Sequence, residues 1–224
     1  MTISAALAIL GGGTAASTGA SAAEALAALR RAAAPGAEEK GVAQLAKDPT
    51  VKADLSRFRD AISRAKDVPT AIRDPRVAKV LLPALGLPDA VDKPGLAARA
   101  LTSDLKDPES VANRLSDSRW KDAARSLNLS ARGLDALRDP AVQARLESGY
   151  LSYRWRTAQD EATPGVADAL YLRERAAAGT APSVYEVLGN ASLRRVVTGA
   201  LGLPDSSRCN RSRRRRARSR RGST

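Results

Sequence analysis

The dipeptide Asp-Pro, each time preceded by a basic residue, punctuates this chain four times: Lys47-Asp48-Pro49, Arg73-Asp74-Pro75, Lys106-Asp107-Pro108 and Arg138-Asp139-Pro140. Asp suits the N-cap of a helix because its carboxylate accepts the free amides of the first turn. Proline suits the next position, where its missing N–H would have found no intrahelical partner. An apolar run at helical spacing follows each time: Val51/Leu55/Phe58, Val77/Val80/Leu81, Val111/Leu115 and Val142/Leu146. Four helix starts are predicted.

A second signal marks where helices stop. The hexapeptide Ala-Leu-Gly-Leu-Pro-Asp occurs at Ala84–Asp89 and again at Ala200–Asp205. Gly86 and Gly202 fit the left-handed position after a helix, Leu87 and Leu203 can fold back on the last turn, and Pro88 and Pro204 bar continuation. A slide of 116 residues pairs Ile72–Asp89 with Leu188–Asp205. Asp74 then matches Asn190 as the cap, Val77 matches Leu193, Lys79 matches Arg195, Val80 matches Val196 and Leu81 matches Val197. One helix, copied, is the simplest account.

Helices are predicted near 20–32, 50–66, 75–85, 94–103, 109–115, 117–127, 130–138, 141–160, 164–178 and 191–201. At Leu115-Ser116-Asp117-Ser118-Arg119-Trp120 a junction is expected, with Ser116 capping and Leu115 and Trp120 forming a hydrophobic staple. No sustained period-two alternation marks a strand. The expected fold is all-α: a multi-helix bundle with an internal duplication of a helical unit. Its parts are a leader over 1–40 with one helix and otherwise disordered, a first helical unit over 41–138, a long linking helix and the start of a second unit over 139–205, and a disordered basic tail over 206–224.

Composition narrows the chemistry. The chain has no His, and its one cysteine, Cys209, lies in the tail. His-based general bases, His/Cys zinc sites and Cys–His nucleophiles are thereby excluded. The net charge of +13 suggests a polyanion partner until it is located. The acid-free stretch Ser206–Thr224 holds nine arginines, which leaves +4 for everything before it. That remainder is an ordinary mixed surface. No run reaches the roughly 18–20 apolar residues of a membrane span. Met1–Ala23, rich in Ala, Gly, Ser and Thr, lacks the basic start of a secretory signal. It reads as a disordered leader, with an unfolded export signal for a flagellar-type apparatus as the alternative.

The tail has two readings. One is a basic arm for nucleic acid or an anionic surface. The other is out-of-frame translation, favoured because the tail has no Lys and no aromatic and starts directly after the helix stop. GC-rich codons for Ser207–Arg214, shifted by one base, permit an amphipathic helical segment. Loss of such a segment would leave the apolar face of the 191–201 helix (Leu193, Val196, Val197, Ala200 and Leu201) partly uncovered.

Several stretches together resemble a known family. Val77–Asp89 and Ser110–Leu127, with Asn113-Arg114-Leu115 and Arg119-Trp120, look like the first unit of domain-of-unknown-function family 1217. Gly149–Ala178, with Tyr153-Arg154-Trp155-Arg156, Thr163-Pro164-Gly165 and Leu172-Arg173-Glu174, resembles its middle section, and Val187–Asp205 the start of its second unit. The resemblance covers roughly Leu45–Asp205. It implies a helical alphaproteobacterial protein whose gene lies among flagellar genes, in the cytoplasm or associated with the flagellum. It brings no catalytic or ligand residues with it. Family members run on after the second Leu-Gly-Leu-Pro with an acidic and apolar segment, where this chain has its Arg/Ser tail.

No catalytic, cofactor-binding or metal-ligating residue is expected. Asp160, Glu161 and Glu174 have no companions in sequence that mark a carboxylate mechanism, and Gly11-Gly12-Gly13 lacks the Gly-Lys-Ser/Thr context of a phosphate loop. The candidate interaction surface is Asn113, Arg114, Arg119, Trp120 and Trp155, although caps, local ion pairs and core anchoring are the more frequent roles of such residues. The expected function is non-enzymatic: protein–protein contact in a flagellar context with flagellar components as partners. Nucleic-acid or anionic-surface binding through 206–224 is the alternative.

Overall fold

Asp48, Asp74 and Asp139 do what their Asp-Pro context demands. In the computed structural model, which describes residues 22–177, 179, 184, 187 and 190–200, each carboxylate accepts backbone amides of the turn it opens. Asp48 takes Thr50 and Val51 (2.7 and 3.1 Å), Asp74 takes Arg76 (2.9 Å), and Asp139 takes Ala141 (2.9 Å). The helices they start are α3 (Pro49–Arg64), α5 (Pro75–Ala84) and α11 (Pro140–Ala162).

The fourth Asp-Pro corrects the expectation. Asp107 accepts the amide of Glu109 at 2.9 Å, yet only a turn forms there. The next helix, α7 (Val111–Arg114), begins three residues later and lasts a single turn. Asn113 Nδ2 donates to the carbonyls of Leu105 and Asp107, which holds the segment as a loop.

The remaining elements are α1 (Ala22–Ala32), α2 (Ala37–Leu45), α4 (Val68–Arg73), a 3-10 turn (Pro88–Ala90), α6 (Pro94–Leu101), α8 (Arg119–Leu127), α9 (Leu129–Arg132), α10 (Leu134–Arg138), α12 (Val166–Ala177) and α13 (Ala191–Ala200). The fold is all-α, with no strand among the described residues. Helices α2 and α4 were not foreseen. Asp67 caps α4 through the amide of Thr70 (2.7 Å), an Asp-x-Pro variant of the same start. Helix α2 follows Gly36, whose φ of 76° is left-handed, so the 40/41 boundary expected between leader and first unit falls inside a helix. The helix expected over 130–138 is two, divided at Gly133 with φ 58°. At the junction before α8, Asp117 rather than Ser116 accepts the first amide, that of Arg119, at 3.1 Å. A carboxylate is the stronger acceptor there.

Helix α5 sits at the centre. Val77, Val80, Leu81 and Leu82 have no exposed surface, and α3, α4 and α11 pack around them. Its end is a Schellman turn: the Leu87 amide donates to the Leu82 carbonyl (2.8 Å) and the Gly86 amide to Pro83 (2.9 Å), with Gly86 at φ 74°. The second copy of this stop lies outside the described residues. In α13, Asn190 caps the amides of Ser192 and Leu193 (3.0 and 3.2 Å). Leu193 and Val196 are buried and Val197 is half-buried, so at these positions the face expected to be open is closed, chiefly by α12.

Helix α11 is the spine. Its first half (Val142, Leu146, Tyr150) belongs to a main apolar cluster that also holds Phe58, Ile72 and Trp120. Trp155, in its second half, belongs to a separate cluster with Ala32, Val166 and Leu170. Between them α11 crosses α5 closely at Gly149, where a Cβ would stand 2.7 Å from the Ala84 carbonyl oxygen.

Candidate functional site

Two features are built from charged side chains. The first is a buried cluster on Asp54. Its carboxylate lies on the apolar face of α3 between Val51 and Phe58 and is almost wholly enclosed. Lys79 Nζ reaches it at 2.6 Å, the Tyr150 hydroxyl donates at 3.1 Å, and Arg154 and Arg57 stand at 3.9 and 3.8 Å. Burial alone would raise the Asp54 pKa; the Lys79 ammonium and the Tyr150 hydroxyl outweigh it and hold the carboxyl below its ordinary value. Burial pushes the Tyr150 phenol up. Arg154 donates to the Tyr150 oxygen (3.2 Å) while its guanidinium lies 6.0 Å from the ring centroid. The cluster ties α3, α5 and α11 together.

The second feature is a cleft of about 650 Å³, a volume typical of binding sites. Its floor is the close α5–α11 crossing (Pro83, Ala84, Gly149) and its far wall is α12 and α13. Three arginines line it, each fastened by carboxylates. Arg119 makes a double contact with Asp117, donates to the Gly86 carbonyl and stands 3.8 Å from Asp89. Arg156 is gripped on both terminal nitrogens by Glu174 and touches Glu38 at 3.4 Å. Arg195 forms a fork with Asp168 at 2.7 and 2.8 Å. Burial disfavours the Arg156 charge, but Glu174 and Glu38 outweigh that and raise its pKa above the usual guanidinium value. Hydrogen bonding to Asp168 raises that of Arg195. Asp160, also in the lining, accepts the amides of Gly165 and Ala167 (2.9 and 3.2 Å) and so fixes the turn into α12. Tyr153 and Tyr171 supply aromatic walls.

The five residues picked from the sequence do not form one surface. Asn113 is a loop brace, and its Oδ1 is buried without a partner. Arg114 is exposed, with a loose 3.5 Å pair to Glu109. Trp120 is buried in the main cluster and Trp155 in the second. Only Arg119 lines the cleft. Asp160, Glu161 and Glu174, which look companionless in sequence, are brought together there with Arg156 and Arg195. The Asp54 cluster was missed although one signal was present: a carboxylate interrupting the Val51/Leu55/Phe58 stripe.

Comparison with known proteins places the chain. The DUF1217 family, described as proteins of unknown function, matches residues 84–215. This chain belongs to the DUF1217 family. The matched stretch begins at Ala84 within the Schellman turn, holds both Trp residues and most of the cleft, and runs ten residues past Asp205. Among solved structures, the chain is similar to the X-ray structure of protein AGR_C_984 from Agrobacterium tumefaciens, with 22% identity and a TM-score of 0.65. The match covers 85% of this chain and 81% of that one. At that identity the likeness speaks for the shared fold. No curated protein matches.

Proposed function

We propose that this DUF1217 member is a non-enzymatic helical protein that acts through protein–protein contacts in a flagellum-associated setting, with rod, hook or export components as partners. The observation that carries the contact role is the cleft, where arginines from α8, α11 and α13 are fixed by carboxylates beside two tyrosines. A recess with charges already held in place offers a polypeptide oriented hydrogen bonds at little ordering cost. The flagellar setting rests on the family resemblance of Val77–Asp89, Ser110–Leu127 and Gly149–Ala178. A pull-down with flagellar rod, hook and export components tests it: enrichment over an unrelated helical protein is expected, weakened by Glu161→Lys in the cleft. Equal recovery of both baits would remove the proposal.

The likeness of α5 and α13 in cap and apolar register supports origin by doubling of a unit, and the composition of Ser206–Thr224 supports a slipped reading frame. The gene's neighbouring frame is expected to encode a helix-like continuation after the codon for Asp205; an early stop there would end that idea. The second reading, binding to nucleic acid or an anionic surface, rests on the nine arginines of the tail. It requires that deletion of Ser206–Thr224 abolish salt-sensitive binding.

A further inference from the structure

The N-terminal helical hairpin, α1 with α2, is attached to the molecule differently from the helices of the main cluster. It packs on α11 and α12, away from the main apolar cluster. Helix α2 has no fully buried residue, and among the described side chains of α1 Ala25 and Ala32 alone are buried. By contrast α3, the next helix along, buries six residues, Phe58 and Ile62 among them. Among the described residues, the apolar attachment of the hairpin is through half-buried side chains, Leu29, Val42 and Leu45 the largest of them. The Trp155 indole lies directly against the backbone of Gly41, where any added Cβ would collide with the ring. Glu38 meets Arg156 at 3.4 Å, and Arg173 donates to the Ala33 carbonyl at 3.1 Å. Under the turn of the hairpin, against Leu170 and Arg173, lies an incompletely filled opening of about 290 Å³. A three-residue connection, Ala46–Asp48, then leads into the capped start of α3.

We infer that Ala22–Leu45 is a strap that lifts from α11 and α12 as one unit while the main core stays folded, with Trp155 in the Gly41 notch as its fastening. Regions with few buried apolar contacts open at lower free energy than the core they cover, in contiguous units. Lifting the strap bares Trp155, Val166 and Leu170 on one strip and frees Arg156 from Glu38. The strap thereby masks the large aromatic residue that the sequence marks as a contact candidate.

Native-state hydrogen exchange on the full chain tests this. Amides of α1 and α2 should exchange through a shared opening, at least about tenfold faster than those of α3 and α5. In Gly41→Ala the strap should lose about a further tenfold in protection while the amides around Phe58 and Leu81 change less than about twofold. Glu38→Gln, which leaves the notch intact, should cost the strap about threefold and the core nothing. If strap and core exchange together, if α1 and α2 open independently, or if neither variant loosens the strap, the inference is wrong.

Discussion

The two apolar clusters share one helix, α11, and are closed in opposite ways. The main cluster is filled by large side chains with almost no exposed surface: Phe58, Ile62, Ile72, Leu81 and Leu82, drawn from three successive helices. The second is built around one tryptophan and closed by alanine-rich helices that cover it with half-buried side chains such as Leu29, Val42 and Leu45 and, at Gly41, with backbone. Burying a large apolar side chain contributes about 1.5–3 kcal/mol and an alanine far less. The molecule should therefore be graded in stability along α11, firm at Val142–Tyr150 and softer beyond Trp155.

The largest expected contrast is between Phe58 and Leu29. Phe58→Ala leaves a cavity in a fully closed site and should cost about 4 kcal/mol in urea unfolding. Leu29→Ala, on a half-buried position of α1, should cost about 1 kcal/mol and act on the strap. Equal losses would break the distinction between the clusters.

Next comes the charge that only the main cluster contains. Asp54→Asn takes the anion from Lys79, Tyr150 and Arg154 and should cost about 2–3 kcal/mol at pH 7, moderated because Lys79 remains half in solvent. The sign with pH follows from a lowered folded-state pKa. Stabilisation is complete above the unfolded carboxyl value of about 3.9 and is lost as pH falls below it through the lower folded value. Asp48, Asp67, Asp74 and Asp139 are shifted the same way, chiefly by amide hydrogen bonds at the first two and by Arg76 and Arg132 at the others. Unfolding midpoints of the native chain should thus drop steeply below about pH 4, and less steeply in Asp54→Asn. Parallel pH profiles would show that the buried carboxylate is not a source of that loss.

Gly149 stands where the two regimes meet. An alanine there drives its Cβ against the Ala84 carbonyl, which is backbone and cannot swing aside, so α5 and α11 must separate. A cost of about 2 kcal/mol is expected, felt in both clusters because α11 serves both. Hydrogen exchange should quicken around Leu81 and around Trp155 alike. Confinement of the change to one side would mean that α11 does not transmit the shift.

What could be read in the residues divides along a physical line. Helix starts and stops were legible because a cap is local chemistry: Asp48, Asp74, Asp139, Gly86 and Asn190 each act within a few residues of themselves. Ser116 misled because three adjacent polar residues can each cap, and geometry chose the carboxylate of Asp117. The cleft was not legible, since Arg119, Arg156 and Arg195 meet their neighbours across up to 118 residues of chain, and helical periodicity says nothing about which helix lies opposite. The Gly41–Trp155 notch is likewise a contact between distant segments. Asp54 was half legible: its place on an apolar stripe demanded a partner, but nothing local named Lys79 or Tyr150.

The smallest contrast sets the two kinds of Asp-Pro against each other at the edge of the main cluster. Asp48 satisfies two amides of a sixteen-residue helix that begins just after the strap's connection, so Asp48→Ala should cost about 1 kcal/mol. Asp107 satisfies one amide of a turn that never becomes a helix, and the loop keeps its main brace through Asn113. Asp107→Ala should therefore change stability by less than about 0.5 kcal/mol. The two substitutions are chemically identical and the dipeptides are alike, so a difference in urea midpoint isolates what the helix adds to the cap. If both cost the same, the carboxylate–amide contact itself would be the stabilising element, and the apolar run behind Pro49 would be irrelevant to it. That outcome would also remove the reason for treating α3 as the firm boundary from which the strap lifts.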